Sequence, residues 1–541
     1  MKLSKLFMKI SKEMGNNHFF GIPGSGVPLD LMDSGNSIDL QFINVAHEST
    51  AAIAAGTYGL INKNSGLCLG VKGVGAGNLA GGVANAYFER MPVVCVCETT
   101  PGYSYENEMV QHTNHQDLMK SITKSMVTLT KDNPAQLIID SYNKSMQGLK
   151  GPVLIDFPSN MGLEEVDSDY EINPINTDKI EIFGNIESLS QIISSSKKPM
   201  LIVGDGVRRD GAINEIIKLS EKIGAGVLSV MNARGVYPEN HNRWVGVSTA
   251  FDERDTTRPG LLTKGSDLII LVGGDQMMTH VPWPEDKVKT VEIISDNKFK
   301  TLSPKPEVKV AGNIKTTLIK LLDSLNDNSG WEISDLNNIY KVIAPRFDRS
   351  NNAIFTKEDV LEVSKEILPT EGHLFTETGA FIAQLENTWK FDKPLKYFGS
   401  SGGRSMGLMI PAFIGGSLAT NNNTPSLGIG ADGSTLMRLG EFETISRANL
   451  KWPIVIINDA SLGTMKYRQG FRGYSDYGLD LSMVDFARVA KSCGLKGETV
   501  SNPEEFRKSL TQAFKSNITT VIDARVDPNE YQDSFGGTIG D

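Results

Sequence analysis

The chain has 541 residues, a formal net charge of −10 and a pI near 5.4. It is too long for one hydrophobic core, and its length suggests roughly three or four domains. The acidic balance argues against nonspecific binding to nucleic acid or an acidic membrane surface, and the sequence shows no apolar run of membrane-spanning length, so a cytoplasmic protein without membrane or nucleic-acid partners is expected.

In chain order, Leu3, Leu6, Phe7 and Ile10 share one helical face, which gives an amphipathic first helix and not a signal peptide. The turn Gly21-Ile22-Pro23-Gly24-Ser25-Gly26 follows. Phe42-Ile43-Asn44-Val45 reads as a short buried strand that runs into Ala46-His47-Glu48 and the small-residue helix Ser49–Gly56. Glu48 therefore sits at a strand-to-helix junction with almost nothing polar after it. Burial there suits a carboxyl to share a proton with a base; the plainer reading is a helix N-terminal glutamate stabilised by the dipole.

The strand Leu67–Val71 leads into Gly73-Val74-Gly75-Ala76-Gly77-Asn78, which opens a helix and resembles a dinucleotide fingerprint, with Glu98 mimicking the ribose-binding acid. Four sparse cysteines suggest neither a disulfide framework nor a zinc site, and Cys95 and Cys97 are read as facing opposite sides of one strand. Pro152–Pro158 closes the first block, and the polar segment 164–184 reads as a linker. A second block holds the strands at 199–203 and 268–272 with their glycine-rich ends. Residues 324–355 turn polar and Asn-rich, a second linker with little packing material. Strands and helices alternate almost throughout. The fold class is α/β, with three doubly wound parallel-sheet domains over 1–165, 185–323 and 356–541.

The last block carries the strongest constellation. Gly430-Ala431-Asp432-Gly433-Ser434 is followed by a helical stretch and the strand Trp452–Ile457, which runs into Asn458-Asp459-Ala460-Ser461. A helix between parallel strands returns the chain to the same sheet edge, so the carboxylates of Asp432 and Asp459 can converge on one cation. Magnesium suits one or two carboxylates plus phosphate oxygens. The plainer reading is two aspartates that cap loops.

Together with Glu48, this stretch resembles the cofactor motif of thiamine diphosphate enzymes, and the wider chain resembles acetolactate synthase and benzaldehyde lyase. Ala431 departs from the pattern, which has glycine there. The resemblance implies pyrimidine-binding, central and diphosphate-binding domains in that order. It implies thiamine diphosphate and Mg2+, the metal bound by the carboxylates of Asp432 and Asp459 and the backbone carbonyl of Ser461. Asn458 would orient the turn. Gly379, Ala380, Met406, Ala431, Gly433, Ser434, Leu462 and Gly463 would complete the cofactor site, with Met406 as the wedge that bends the cofactor. Glu48 would hydrogen-bond N1′ of the aminopyrimidine and favour the imino form that removes the C2 proton.

Gln111-His112 before Ser121-Ile122-Thr123-Lys124 resembles the acetolactate synthase pattern, which makes Gln111 and His112 further catalytic candidates. Ser25, Gly26 and Met465 would line the substrate pocket. Met465 stands where pyruvate decarboxylases place a glutamate, Arg404 where carboligases usually have glycine, and Lys72 where relatives often have a small or hydroxylated residue.

The implied function is decarboxylation of a 2-oxo acid and transfer of the acyl carbanion to a carbonyl acceptor. A nonoxidative decarboxylase releasing an aldehyde is the alternative. From another class, a nucleotide-binding or regulatory protein would have kept the fold without needing Glu48. Residues 185–323 carry no convincing flavin signature, and FAD stays open. Because Glu48 and Asp432 lie in different blocks that meet across subunits in the resembling family, a homodimer at minimum and a homotetramer are expected.

Overall fold

The computed structural model describes residues 1–102, 110–172, 181–248, 258–275, 288–298, 305–342 and 354–527. Its first sheet contains β1 (His18–Gly21), β2 (Gln41–Asn44), β3 (Gly66–Gly70), β4 (Val93–Thr99), β5 (Met126–Thr128) and β6 (Pro152–Pro158). Their order is β2-β1-β3-β4-β6-β5, and every pairing is parallel. Strands β3, β4 and β6 are buried along their whole length. That burial follows from helices covering both faces, and it explains why these strands read as continuous apolar runs. Cys95 and Cys97 correct the sequence reading. Side chains two apart on a strand share a face, and both join Cys68 in one core, with the Cys68 and Cys95 sulfurs 3.6 Å apart.

The second sheet contains β7 (Pro199–Val203), β8 (Gly226–Val230), β9 (Trp244–Ser248), β10 (Leu268–Val272), β11 (Lys289–Ile294) and β12 (Val308–Ala311). Its order, β12-β11-β10-β7-β8-β9, is the dinucleotide-fold order. At the switch point the loops after β7 and β10 pack backbone to backbone: a Cβ on Gly204 would sit 2.3 Å from the Gly273 carbonyl oxygen. Asp205 there pairs with Arg208, and Asp275 takes a two-pronged contact from Arg90 of the first unit. Residues 324–355 are more than a linker. The helix Ile333–Lys341 forms within them, and Trp331 and Leu336 are buried in the second core.

The third sheet contains β13 (His373–Thr376), β14 (Tyr397–Phe398), β15 (Ser426–Ala431), β16 (Ile454–Asn458), β17 (Lys496–Val500) and β18 (Thr520–Arg525). Its order, β14-β13-β15-β16-β18-β17, repeats that of the first sheet strand for strand, and it too is parallel. The first and third units share one core. The helix Glu48–Asn62 packs on the helix Met409–Ala419 so closely that a Cβ on Gly415 would fall 2.0 Å from the Ala54 carbonyl oxygen.

His373, at the start of β13, lies edge-on to Phe375 and Phe398, and its Nδ1 is buried with no hydrogen-bond partner among the described residues. Burial, assisted by Lys396, lowers its pKa to about 4. The unfolded chain takes up this proton near the ordinary histidine value of about 6.5 while the folded chain does not, so stability is full above that value and falls as pH drops toward 4. Between pH 7 and 5 the loss is about 2 kcal/mol. His373→Leu should shrink the fall in thermal midpoint over that range. Equal acid limbs in both proteins would show that His373 titrates normally.

Candidate active site

β15 and β16 are neighbours in register, with Ala431 beside Ile457, so Asp432 and Asp459 emerge from adjacent strand ends. The Asp432 side chain is only 4% exposed. Its Oδ1 accepts the Gly433 N–H at 2.6 Å, and Oδ2 is buried without a partner among the described residues. Burial and the charge of Asp459 raise its carboxyl to about 6. Asp459 Oδ1 accepts the Ser461 N–H at 2.9 Å, and Ala460 between them adopts a left-handed φ of 56°. Asn458 fixes this turn from below by donating to Asp523 Oδ1 and the Val484 carbonyl. Residues 479–481 close over it, through Leu462 N–H to Leu479 O and Leu481 N–H to Ala460 O. A Cβ on Gly433 would meet the Leu462 Cδ2 methyl at 2.7 Å, so a side chain there would have to displace that methyl.

Two crowded carboxylates with an unfilled oxygen are what a cation relieves. Among the described residues, no cluster of three His, Cys, Asp or Glu side chains could hold a metal alone. A hard ion that takes its remaining ligands from backbone and phosphate fits this donor set, as Mg2+ with a diphosphate does.

These groups open into a cavity of about 410 Å3. Gly379, Ala380, Met406, Ala431, Asp432, Gly433, Ser434, Asp459, Ser461, Leu462, Gly463 and Met465 all line it. Every third-unit residue expected from sequence is therefore in one place. Arg404, noted from sequence as standing where carboligases usually have glycine, also lines it, as do Glu386 and Arg468, to which the sequence reading gave no part in the site. Helical spacing carried the signal for the last two: Glu386 follows the lining residue Ala383 by one turn, and Arg468 follows Met465 likewise.

Two buried carboxylates outside the cavity hold its walls. Glu377, 1% exposed, accepts N–H groups from Met409 and Ala431 at 3.2 and 3.3 Å, and burial pushes its pKa to about 7. It thus ties the loop bearing Met406 to the strand end bearing Asp432. Glu89, at the end of the helix Val74–Phe88, accepts from the backbone of Ser401 and Gly403 at 2.8 Å each and from the Ser401 hydroxyl. The first unit therefore grips the segment leading to Arg404 and Met406.

Glu48, Gln111, His112, Ser25 and Gly26 do not line the cavity. They occupy the C-terminal edge of the first sheet. Glu48 starts its helix, is 7% exposed, and accepts Asn78 Nδ2 on Oε2 at 3.1 Å. Gln111 has a left-handed φ of 60°, and its carbonyl oxygen lies 2.7 Å from where a Gly73 Cβ would be. His112 Nδ1 is 3.4 Å from Thr100 Oγ1. The buried histidine of this edge is His115, which accepts the Gly73 N–H on Nε2 and meets Asp156 at 2.9 Å through Nδ1. A Cβ on Gly26 would strike Glu98 Oε2 at 2.5 Å, and Glu98 pairs with Lys72 at 3.4 Å. Glu98 is thus committed to an ion pair beside Gly26, which leaves the dinucleotide reading of the glycine loop without its ribose-binding acid.

Three family descriptions match the chain in succession: the N-terminal TPP binding domain of thiamine pyrophosphate enzymes over residues 1–121, their central domain over 186–321, and their C-terminal TPP binding domain over 377–524. A protein of Methanocaldococcus jannaschii named "Probable acetolactate synthase large subunit" is 26% identical, over 98% of this chain and 93% of its own length. The acetolactate synthase of Arthrospira platensis is 25% identical over 95% of this chain and 92% of its own. In fold, the chain is similar to the thiamine diphosphate-dependent 4-hydroxybenzoylformate decarboxylase of Rhodococcus jostii, with a TM-score of 0.81 at 19% identity, over 97% of this chain and 99% of that one. With matches to all three domains and the paired aspartates at the expected strand ends, the chain belongs to the thiamine pyrophosphate enzymes.

Proposed function

We propose that this enzyme uses thiamine diphosphate and Mg2+ to decarboxylate a 2-oxo acid and to join the acyl unit to a carbonyl acceptor, as an acetolactate synthase-like carboligase. When bound, the cofactor supplies a nucleophilic carbon and an electron sink for decarboxylation. Asp432, Asp459 and the Ser461 carbonyl hold the metal, while Gly379, Ala380, Gly433, Ser434, Leu462 and Gly463 form the walls around the diphosphate. Met406 supports the bent cofactor from beneath. Glu48 holds a proton at N1′ of the aminopyrimidine, and Gln111 and His112 face the reacting carbonyl with Ser25 and Gly26.

The observation that carries the carboligase reading is Met465. It lines the cavity with an apolar side chain, so that position supplies no acid to protonate the product, and a second carbonyl can compete. Glu386 favours the second reading, a nonoxidative decarboxylase releasing an aldehyde. It lines the same cavity, and burial raises its carboxyl pKa, a direction that suits a proton donor. Incubating holoenzyme with a panel of 2-oxo acids, with and without acceptor aldehydes, and weighing the products separates the two. Joined products are expected; aldehyde alone in the presence of acceptor would establish the decarboxylase.

Assembly follows from the split site. Glu48 does not line the cavity of its own chain, and Val74, Val110, Met437, Phe471 and Tyr477 are exposed apolar side chains. A second copy that brings its Glu48 to this cavity gives a homodimer, and pairing of dimers a homotetramer. The reading places the enzyme in the cytoplasm. Among the described residues no helix is long and apolar enough to cross a membrane, and the four cysteines are free.

A further inference from the structure

Three arginines of this protein sit against carboxylates at close range. Arg234 makes paired contacts with Glu239 at 2.7 and 2.8 Å, Arg208 with Asp205 at 2.7 Å twice, and Arg90 with Asp275. Such pairing is what a buried guanidinium needs, because an unpaired buried charge is costly. Arg404 breaks the pattern. Its Nε is buried with no hydrogen-bond partner, and no carboxylate lies within ion-pair distance among the described residues. Its Nη2 points at the Met231 sulfur, 3.1 Å away, a weak acceptor.

The backbone adds a second anomaly. Arg404 has a φ of +43°, a region where glycine is at ease and a side-chain-bearing residue is strained. A strained arginine with no carboxylate partner and a buried, unpartnered Nε, in a cavity wall, implies that something outside the chain engages it. Arg468 lines the same cavity, and its charge acts on Arg404. Both arginines line the same cavity as Asp432 and Asp459.

We infer that a substrate of this cavity carries a second anionic group, beyond the carboxylate of the 2-oxo acid, and that Arg404 and Arg468 receive it. A carboxylate, sulfonate or phosphonate shares the required oxyanion geometry, and a guanidinium meets it with two N–H donors. This rests on the thiamine diphosphate reading of the cavity and narrows its substrate class.

The test compares kcat/KM of holoenzyme for 2-oxoglutarate, 3-sulfopyruvate and 3-phosphonopyruvate with that for pyruvate, 2-oxobutyrate and 2-oxopentanoate. Calorimetry of glutarate and pentanoate on the same holoenzyme gives a readout independent of turnover. At least one doubly anionic substrate should be preferred by about 10- to 100-fold, and glutarate should bind more tightly than pentanoate. Arg404→Gly, which also relieves the backbone, and Arg468→Gln should each remove most of that preference while thiamine diphosphate remains bound. The inference is overturned if no doubly anionic compound is preferred. It is equally overturned if Arg404→Gly releases the cofactor and leaves substrate preference unchanged, since the guanidinium would then serve the diphosphate. Failure of wild-type protein to take up thiamine diphosphate at all would instead overturn the reading on which it rests.

Discussion

Asp432→Ala is expected to fold and to lose thiamine diphosphate and magnesium together. The wild-type carboxyl is buried, carries an unpartnered Oδ2 and is raised to about 6 by burial and by Asp459. These features are unfavourable in the empty chain and favourable only around a cation. Removing the carboxyl should therefore leave the thermal midpoint of the cofactor-free protein unchanged or slightly higher, because repulsion with Asp459 disappears. Losing one of two carboxylate ligands should weaken joint retention of metal and diphosphate by more than about 100-fold. Titration calorimetry with thiamine diphosphate and Mg2+ measures this directly. Unchanged affinity would remove the metal role of Asp432, and a lowered midpoint would make the carboxyl a structural group.

The second large effect concerns Glu48. Glu48→Gln should bind the cofactor and yet slow exchange of its C2 proton by about 10²- to 10⁴-fold, since a neutral amide cannot stabilise a protonated N1′. Because Glu48 does not line the cavity of its own chain, each working site of the proposed dimer would draw on two copies. Dissociating Glu48→Gln and Asp432→Ala proteins, mixing them equally and reassembling them should restore activity that neither shows alone. Half the dimers would then be mixed, each with one intact site and one with neither residue, so about a quarter of wild-type activity should return. Verified mixed dimers without activity would falsify the shared site and place the cofactor within one chain.

The pairing of Asp432 with Asp459 was legible because the strands beneath them are largely apolar. Leu427, Ile429 and Ile454–Ile457 are buried, and the chain turns polar at Asp432 and Asp459 where the strands stop. Glu48 stood out similarly, between β2 and a helix of small residues. Glu386 and Arg468 were not legible in that way. Whether they line the cavity depends on how two short helices are rotated against the sheet, which is decided by packing far away in sequence. The helix Ile333–Lys341 escaped notice because its segment offers few apolar residues. Leu336 and the preceding Trp331 suffice once the second core exists to receive them, and tertiary contacts supply what local propensity lacks. Cys95 and Cys97 were misplaced by a wrong strand period, not by any feature of the chain.

The packing of Glu48–Asn62 on Met409–Ala419 sets the order of events during synthesis. Residues 48 to 59 of the earlier helix are all buried in the finished protein, yet the helix that covers them is made hundreds of residues later. At about 5–20 residues per second, translation from residue 62 to residue 409 takes roughly 20 to 70 s. Throughout that interval the first sheet can form its own pairings, with Tyr58 against Phe20, while the face around Ala54 that the later helix covers stays bare. Slowing the ribosome between these two helices is therefore expected to lengthen the time that this apolar face is open to aggregation.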